Sequence, residues 1–172
     1  MISKQGWINL YKPTNITSFK ALNSIKKKFS INKIGHAGTL DPMAEGVLPI
    51  AIGKATKLIP YISNMKKEYE FTVTWGIQTT TDDAEGEILF ESSYLPNRKE
   101  IEKKIINYIG FISQIPPKVS AIKINGKRAY KLFRENKKFT IQPKKVFIED
   151  LCITDHNINK TSLKFYAGRA FM

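Results

Sequence analysis

Hydrophobic and polar positions change period several times along this chain, and each change marks an element. Gly6-Trp7-Ile8-Asn9-Leu10-Tyr11 reads as a short strand closed by Lys12-Pro13. Thr17 or Ser18 caps a helix through Phe19, Leu22, Ile25 and Phe29, with Lys26-Lys27-Lys28 on its exposed side. Val47 to Ile52 is a buried apolar strand. Ala55 to Ile62 is a second short helix, with Leu58, Ile59 and Ile62 inward. Glu68 to Trp75 alternates with period two, as a half-buried strand does. Thr79 to Gly86 is a polar loop and Glu87 to Glu91 a strand. Ile101, Ile105, Ile106 and Ile109 give helical spacing from Arg98 to Ile112, with Pro116-Pro117 as the stop. Asn125-Gly126 signals a hairpin turn. Tyr130 to Asn136 is a short helix, and Val146 to Thr154 and Ser162 to Tyr166 are strands. Strands and helices mixed without regular alternation predict an α+β fold: a mixed, mainly antiparallel sheet with flanking helices. With no repeat and no linker, residues 1–172 read as one domain.

One stretch breaks the periodicity. Gly35-His36-Ala37-Gly38-Thr39-Leu40-Asp41-Pro42-Met43-Ala44-Glu45-Gly46-Val47-Leu48-Pro49 holds three glycines and two prolines, which predicts irregular backbone rather than helix or strand. Pro42 fixes its own φ and biases Asp41 toward an extended conformation. One carboxylate therefore sits on a stiff loop with His36 and Thr39 nearby. Asp41 is also the first acidic residue of the chain.

Charge adds a partner class. The formal net charge is +13 in 172 residues. Residues 1–40 hold seven lysines and no acid, and residues 118–145 hold ten basic residues against Glu135. Residues 66–102 between them carry nine acids and four bases. Two strongly basic segments favour a polyanion, nucleic acid above all, over simple solubility. There is no apolar run of ~18 residues and no signal-peptide core at the N-terminus, so no membrane partner is expected. The lone Cys152 excludes an internal disulfide and fits a reducing compartment. The chain reads as cytoplasmic.

Several chemistries fail on spacing. Gly53-Lys54-Ala55-Thr56 is no phosphate loop, because Leu48 and Ala55 occupy positions that need glycine and serine or threonine. Two histidines, His36 and His156, and one cysteine lack metal-ligand spacing, and Asp82 to Gly86 lacks a calcium loop's ligand pattern. No metal and no cofactor is expected. For Asp41 the plain reading is an aspartate bonded to loop N–H groups. Its functional reading is a covalent nucleophile or a base, because hydrolytic acid–base work wants a second carboxylate at a defined distance. His36 either satisfies the loop backbone or contacts a base or phosphate. Tyr69, in Lys66-Lys67-Glu68-Tyr69-Glu70, is either a core-facing strand residue or a stacking surface for a base.

Gly35 to Pro42, extended through Gly46-Val47-Leu48-Pro49, resembles the signature of the TruB family of tRNA pseudouridine synthases. The likeness continues in Trp7 to Pro13 with Thr17-Ser18, in Gly53 to Lys57, and in Lys67-Glu68-Tyr69. Gly76, Thr79, Thr81, Asp82 and Gly86 follow, then Gln114 to Pro117, Ser120 to Lys123 and Gly126 to Tyr130. The resemblance implies an isomerase that converts the T-loop uridine at tRNA position 55 to pseudouridine, with Asp41 as the catalytic aspartate. It implies a substrate-binding set of His36, Tyr69, Lys12, Pro13, Thr39 and Leu40. Tyr69 stacks on the flipped base, His36 holds the loop opened by base extrusion, and Lys12 and Pro13 support the active-site wall. The implied partner is the tRNA T-arm stem-loop, bound by a monomer without cofactor, and a thumb-like insert falls near residues 113–145.

Three departures stand out. Val119 replaces a frequent tyrosine, and Phe133-Arg134 replaces Ala-Arg. The Lys-Gly-Thr-Tyr-Ile-Arg-like strand that brings the family's tyrosine and aspartate-pairing arginine has no match, and Arg169 is not assigned that role. Weak or no activity is therefore expected of these 172 residues, with one sheet edge left uncovered. The alternative function is a tRNA-binding or tRNA-folding module that does no chemistry.

Overall fold

The computed structural model describes residues 4–117, 120 and 122–168, without the side chain of Tyr130. Val119, Ala121 and Arg169, singled out above, lie outside them. The chain divides after Met65 into two units.

In the first unit, β1 (Gly6–Lys12), β2 (Ile34–His36) and β3 (Gly46–Ile52) form an antiparallel sheet in the order β1-β3-β2. Helix α1 (Ser18–Lys28) begins at Thr17, whose side chain accepts from Lys20 N–H at 3.1 Å. Ala21 and Leu22 of α1 meet Leu48 and Ile50 of β3, with Ile8, Leu10, Ile16, Ile25, Ile34 and Leu40 around them. Leu48 and Ile50 are almost completely buried, each contributing about 1.5–3 kcal/mol. A 3-10 segment (Gly53–Leu58) and α2 (Ile59–Asn64) follow β3. α2 crosses so near β2 that a Cβ on Gly35 would lie 2.7 Å from Ile59 Cδ1.

Three expectations for this unit are corrected. Phe19 and Phe29 are exposed, and Leu58 also points outward. The buried seam of α1 runs Ser18, Ala21, Leu22, Ile25, a more regular i, i+3, i+4, i+7 stripe than the one drawn through the phenylalanines. The irregular loop is also shorter than expected. Gly35-His36 belong to β2 and Gly46 to Pro49 belong to β3, leaving 37–45 as loop. Pro49 is tolerated in a central strand because its carbonyl accepts from Ala37 N–H at 2.9 Å, just past the end of β2. Its missing N–H faces that same side, where the ladder has already stopped.

The second unit is built on an antiparallel sheet in the order β4-β11-β10-β7, from β4 (Lys67–Thr74), β7 (Gly110–Gln114), β10 (Lys144–His156) and β11 (Lys160–Ala167). Two small ladders pair β5 (Ile77–Thr79) with β6 (Ile88–Glu91) and β8 (Lys123–Ile124) with β9 (Lys127–Arg128). Asn125 and Gly126 turn the second hairpin with φ of 47° and 81°, the left-handed pair of a type I′ turn. Helix α4 (Ala129–Arg134) follows. Ile148, Phe165 and Ala167 form the buried cluster, joined by Tyr69, Ile112 and Leu151. An apolar hollow of about 1170 Å³ opens on this face, lined by residues that include Phe71, Val73, Trp75, Phe90, Leu163 and Phe165.

The helix expected over Arg98 to Ile112 is corrected. α3 (Arg98–Ile105) passes into a 3-10 turn (Ile106–Tyr108), and 110–114 is strand β7. Gly110 sits at φ +94°, a conformation that breaks the helix well before Pro116-Pro117. Ile112 then takes an inward strand position, while Phe111 packs outside against Phe147 across the ladder, ring centroids 4.9 Å apart. The start of α3 is fixed by a capping box. Asn97 Oδ1 accepts from Glu100 N–H at 3.1 Å, and Glu100 Oε2 accepts from Asn97 N–H at 2.7 Å.

Candidate active-site loop

Alternation along β1 places Ile8, Leu10 and Lys12 on the core side and Trp7, Asn9 and Tyr11 on the other. Lys12 thus carries an ammonium into the interior and has no exposed surface. A buried cation is costly unless its donors are met. Here Nζ donates to the carbonyls of Pro13 at 2.9 Å, Ile16 at 2.8 Å and Pro42 at 3.4 Å. Three donors meet three acceptors. The third of these reaches across 30 residues and holds the chain immediately after Asp41.

The residue before Asp41 is held from the other side. Ser18, buried in the first turn of α1, donates from Oγ to the Leu40 carbonyl at 2.9 Å and accepts from the Leu40 N–H at 2.9 Å. Leu40 also packs into the core cluster of α1 and β3. Asp41 is therefore suspended between two anchored neighbours, and its own carbonyl accepts from Ala44 N–H at 3.1 Å to close a turn. Its side chain is exposed. Among the described residues it makes no hydrogen bond or ion pair.

The rest of the loop is tied at both ends. His36, half-buried at the end of β2, donates from Nδ1 to the Gly38 carbonyl, which can only accept. In the neutral ring that leaves Nε2 as the acceptor. Tyr11, on the outward face of β1, is a neighbour of Glu45 at the far end of the loop. The hydrogen bond to the Glu45 carboxylate, then slight burial and the Glu45 charge, hold the Tyr11 phenol above its ordinary range. Thr39 is exposed and Pro13 follows β1 directly. Six of the seven sequence-derived positions thus lie in the first unit, around one loop.

Tyr69 belongs to the second unit. It sits on β4 opposite Phe165 of β11, and the two rings stack with centroids 4.9 Å apart and planes 19° apart. Half-burial against this cluster raises its phenol above the usual value. Among the described residues no group of three or more His, Cys, Asp and Glu is placed to hold a metal ion, and no helix is long and apolar enough to cross a membrane.

Sequence reasoning names Ser18 only as a helix cap and as part of the Thr17-Ser18 motif, not as an anchor of the loop, and it does not single out the Tyr11–Glu45 pair. The anchoring role of Ser18 could have been found, because Ser18 is the polar member of the i, i+3, i+4, i+7 seam. Nothing in the sequence pairs Tyr11 with Glu45, since that contact depends on where the loop returns to β3.

Mainly antiparallel sheets with few helices give a fold shared with solved structures. The chain aligns with a chain of a Cbf5–Nop10–Gar1 complex at TM-score 0.69 and 23% identity, covering 97% of this chain and 40% of that one. It aligns with a chain of an H/ACA RNP bound to a substrate RNA containing 2′-deoxyuridine at TM-score 0.69 and 20% identity, covering 97% and 39%. The family model of the TruB family pseudouridylate synthase N-terminal domain matches residues 26–169. The chain belongs to the TruB family. It is 47% identical over 163 residues to the tRNA pseudouridine synthase B of Ehrlichia chaffeensis, covering 95% of this chain and 51% of that protein. It is 52% identical over 146 residues to the one of Wolbachia pipientis, covering 85% and 41%. The chain thus spans about half the length of the curated relatives it matches.

Proposed function

We propose that this chain acts in the isomerisation of the T-loop uridine at tRNA position 55 to pseudouridine, with Asp41 as the catalytic aspartate. The observation that carries the reading is the exposed Asp41 carboxylate on a loop anchored at the residue before it by Ser18 and at the residue after it by Lys12. Membership of the TruB family supports it. The isomerisation breaks the bond from N1 of uracil to C1′ of ribose, turns the base, and forms the C5–C1′ bond. The C5 proton leaves and N1 gains one, so no atom or electron is lost. A fixed carboxylate can serve as nucleophile or as proton acceptor in such a sequence.

The remaining roles follow the chemistry of the side chains. The target uridine must leave its stack, at a cost of a few kcal/mol. Tyr69 stacks on the flipped base. His36 holds the opened RNA loop, with Thr39 and Leu40 beside the base, and Lys12 and Pro13 support the wall behind Asp41. Residues 113–145 are the thumb-like insert of a single domain spanning 1–172, and their exposed Lys123, Lys127, Arg128, Lys131 and Arg134 contact phosphates of the T arm. The protein works as a cytoplasmic monomer.

The test is tritium release from a T-arm stem-loop labelled at C5 of the target uridine, with protein in excess and binding measured on the same samples. Slow release from that uridine, and none from RNA labelled at other uridines, is the expected result. Binding without release from any position would favour a tRNA-binding module that does no chemistry.

A further inference from the structure

We propose that the outward face of α1, formed by Phe19, Lys20, Asn23 and Lys27, is an RNA contact surface that seats a strand against the Asp41 loop. The proposal rests on the RNA-modifying reading above and names a surface that reading leaves unassigned. At about 100° per residue, Ser18, Ala21, Leu22 and Ile25 occupy one side of the helix, and Lys20, Asn23 and Lys27 lie opposite. Phe19 flanks them and is 69% exposed.

Two features of this face work against the helix's own stability. A phenylalanine left in water forgoes the stabilisation that burial would give it. Lys20 stands in the first turn, where no acid is present and where the helix dipole disfavours a cation. Residues that break a local rule without local compensation point to a partner. The partner is an anion with flat apolar faces. Lysine ammoniums match phosphates, and an exposed ring matches an unpaired base. Lys20 and Lys27 are about 10 Å apart along the axis, and Lys26 and Lys28 add charge at the same end. RNA unites both chemistries.

Position supplies the link to the site. Ser18, the neighbour of Phe19, bonds both backbone groups of Leu40, the neighbour of Asp41. A base stacked on Phe19 therefore lies beside the Asp41 loop, which fits an unpaired nucleotide next to the target.

The test is the salt dependence of binding of a fluorescent T-arm stem-loop to the whole chain. The chains compared are wild type, Lys20→Gln/Lys27→Gln, Phe19→Ala, and a charge-matched control, Lys99→Gln/Lys103→Gln on α3. All five substituted side chains are exposed, and circular dichroism checks that each variant folds. The α1 double variant should flatten the slope of log K against log salt by about 1.5, and Phe19→Ala should weaken binding about tenfold, while the control stays near wild type. Wild type that binds RNA with both double variants alike would overturn this surface and leave the RNA reading standing. Wild type that ignores RNA would overturn both. Binding of Phe19 and these lysines to vesicles containing anionic phospholipid, in preference to RNA, would also overturn the proposal.

Discussion

Ser18 and Leu40, 22 residues apart, exchange two hydrogen bonds of 2.9 Å through one hydroxyl. The pair joins the first turn of α1 to the residue before Asp41. Ser18→Ala should therefore leave the Leu40 N–H and C=O without a partner in a partly buried place, destabilising the chain by about 1–3 kcal/mol. Urea unfolding measures this. Amide exchange at Leu40 and Asp41 should accelerate more than at Leu48 or Ile50, and Ser18→Thr, which keeps the hydroxyl, should restore most of both.

Lys12 supports the other side of the loop. Lys12→Met keeps the stem but removes the donor for three carbonyls. Each hydrogen bond to a charged group contributes about 1.5–3 kcal/mol, so a loss in that range is the minimum expected in thermal unfolding. A melting temperature equal to wild type would show that water replaces the ammonium and that Lys12 does not hold the loop.

The capping box of α3 gives a local prediction. Asn97→Ala removes the acceptor for Glu100 N–H and should lower stability by about 1 kcal/mol. Helical signal by circular dichroism should fall only slightly, because α3 is short. An unchanged denaturation midpoint would mean that water caps the helix equally well.

Tyr69 gives a pH dependence. Its folded phenol is raised by burial against the Phe165 cluster. A raised folded value means the contribution is fully present below the unfolded tyrosine value near 10 and is lost as pH rises through the higher folded value. Tyr69→Phe has no proton to lose. Its melting temperature should therefore decline less than that of wild type above pH 10. Parallel decline of the two would show that the Tyr69 hydroxyl is solvated.

Much of this architecture was legible because local signals and tertiary packing agree. β1, β4, the Asn125-Gly126 hairpin and the β10–β11 pair were visible from alternation and turn residues. The errors share one physical origin. Ile101, Ile105, Ile106 and Ile109 carry helical spacing up to Gly110, whose φ of +94° breaks it, and pairing with β10 makes the residues from Gly110 on a strand. Phe19 and Phe29 were assigned inward by hydrophobicity, whereas the position facing Leu40 required a hydroxyl. At the loop, the chemistry-bearing residues could be named from sequence, but what holds them could not. Lys12 on three carbonyls and Tyr11 beside Glu45 arise only once the loop is folded back.

The central claim is that the anchored Asp41 carboxylate performs the isomerisation, and the most direct measurement compares wild type with Asp41→Asn in single-turnover tritium release from the C5-labelled T-arm stem-loop. Asparagine keeps the size of the side chain and removes the charge, so RNA binding should persist. Slow release is predicted from wild type and none from the variant, with equal binding by both. Release at the same rate from both proteins would contradict the assignment of Asp41 as the catalytic group.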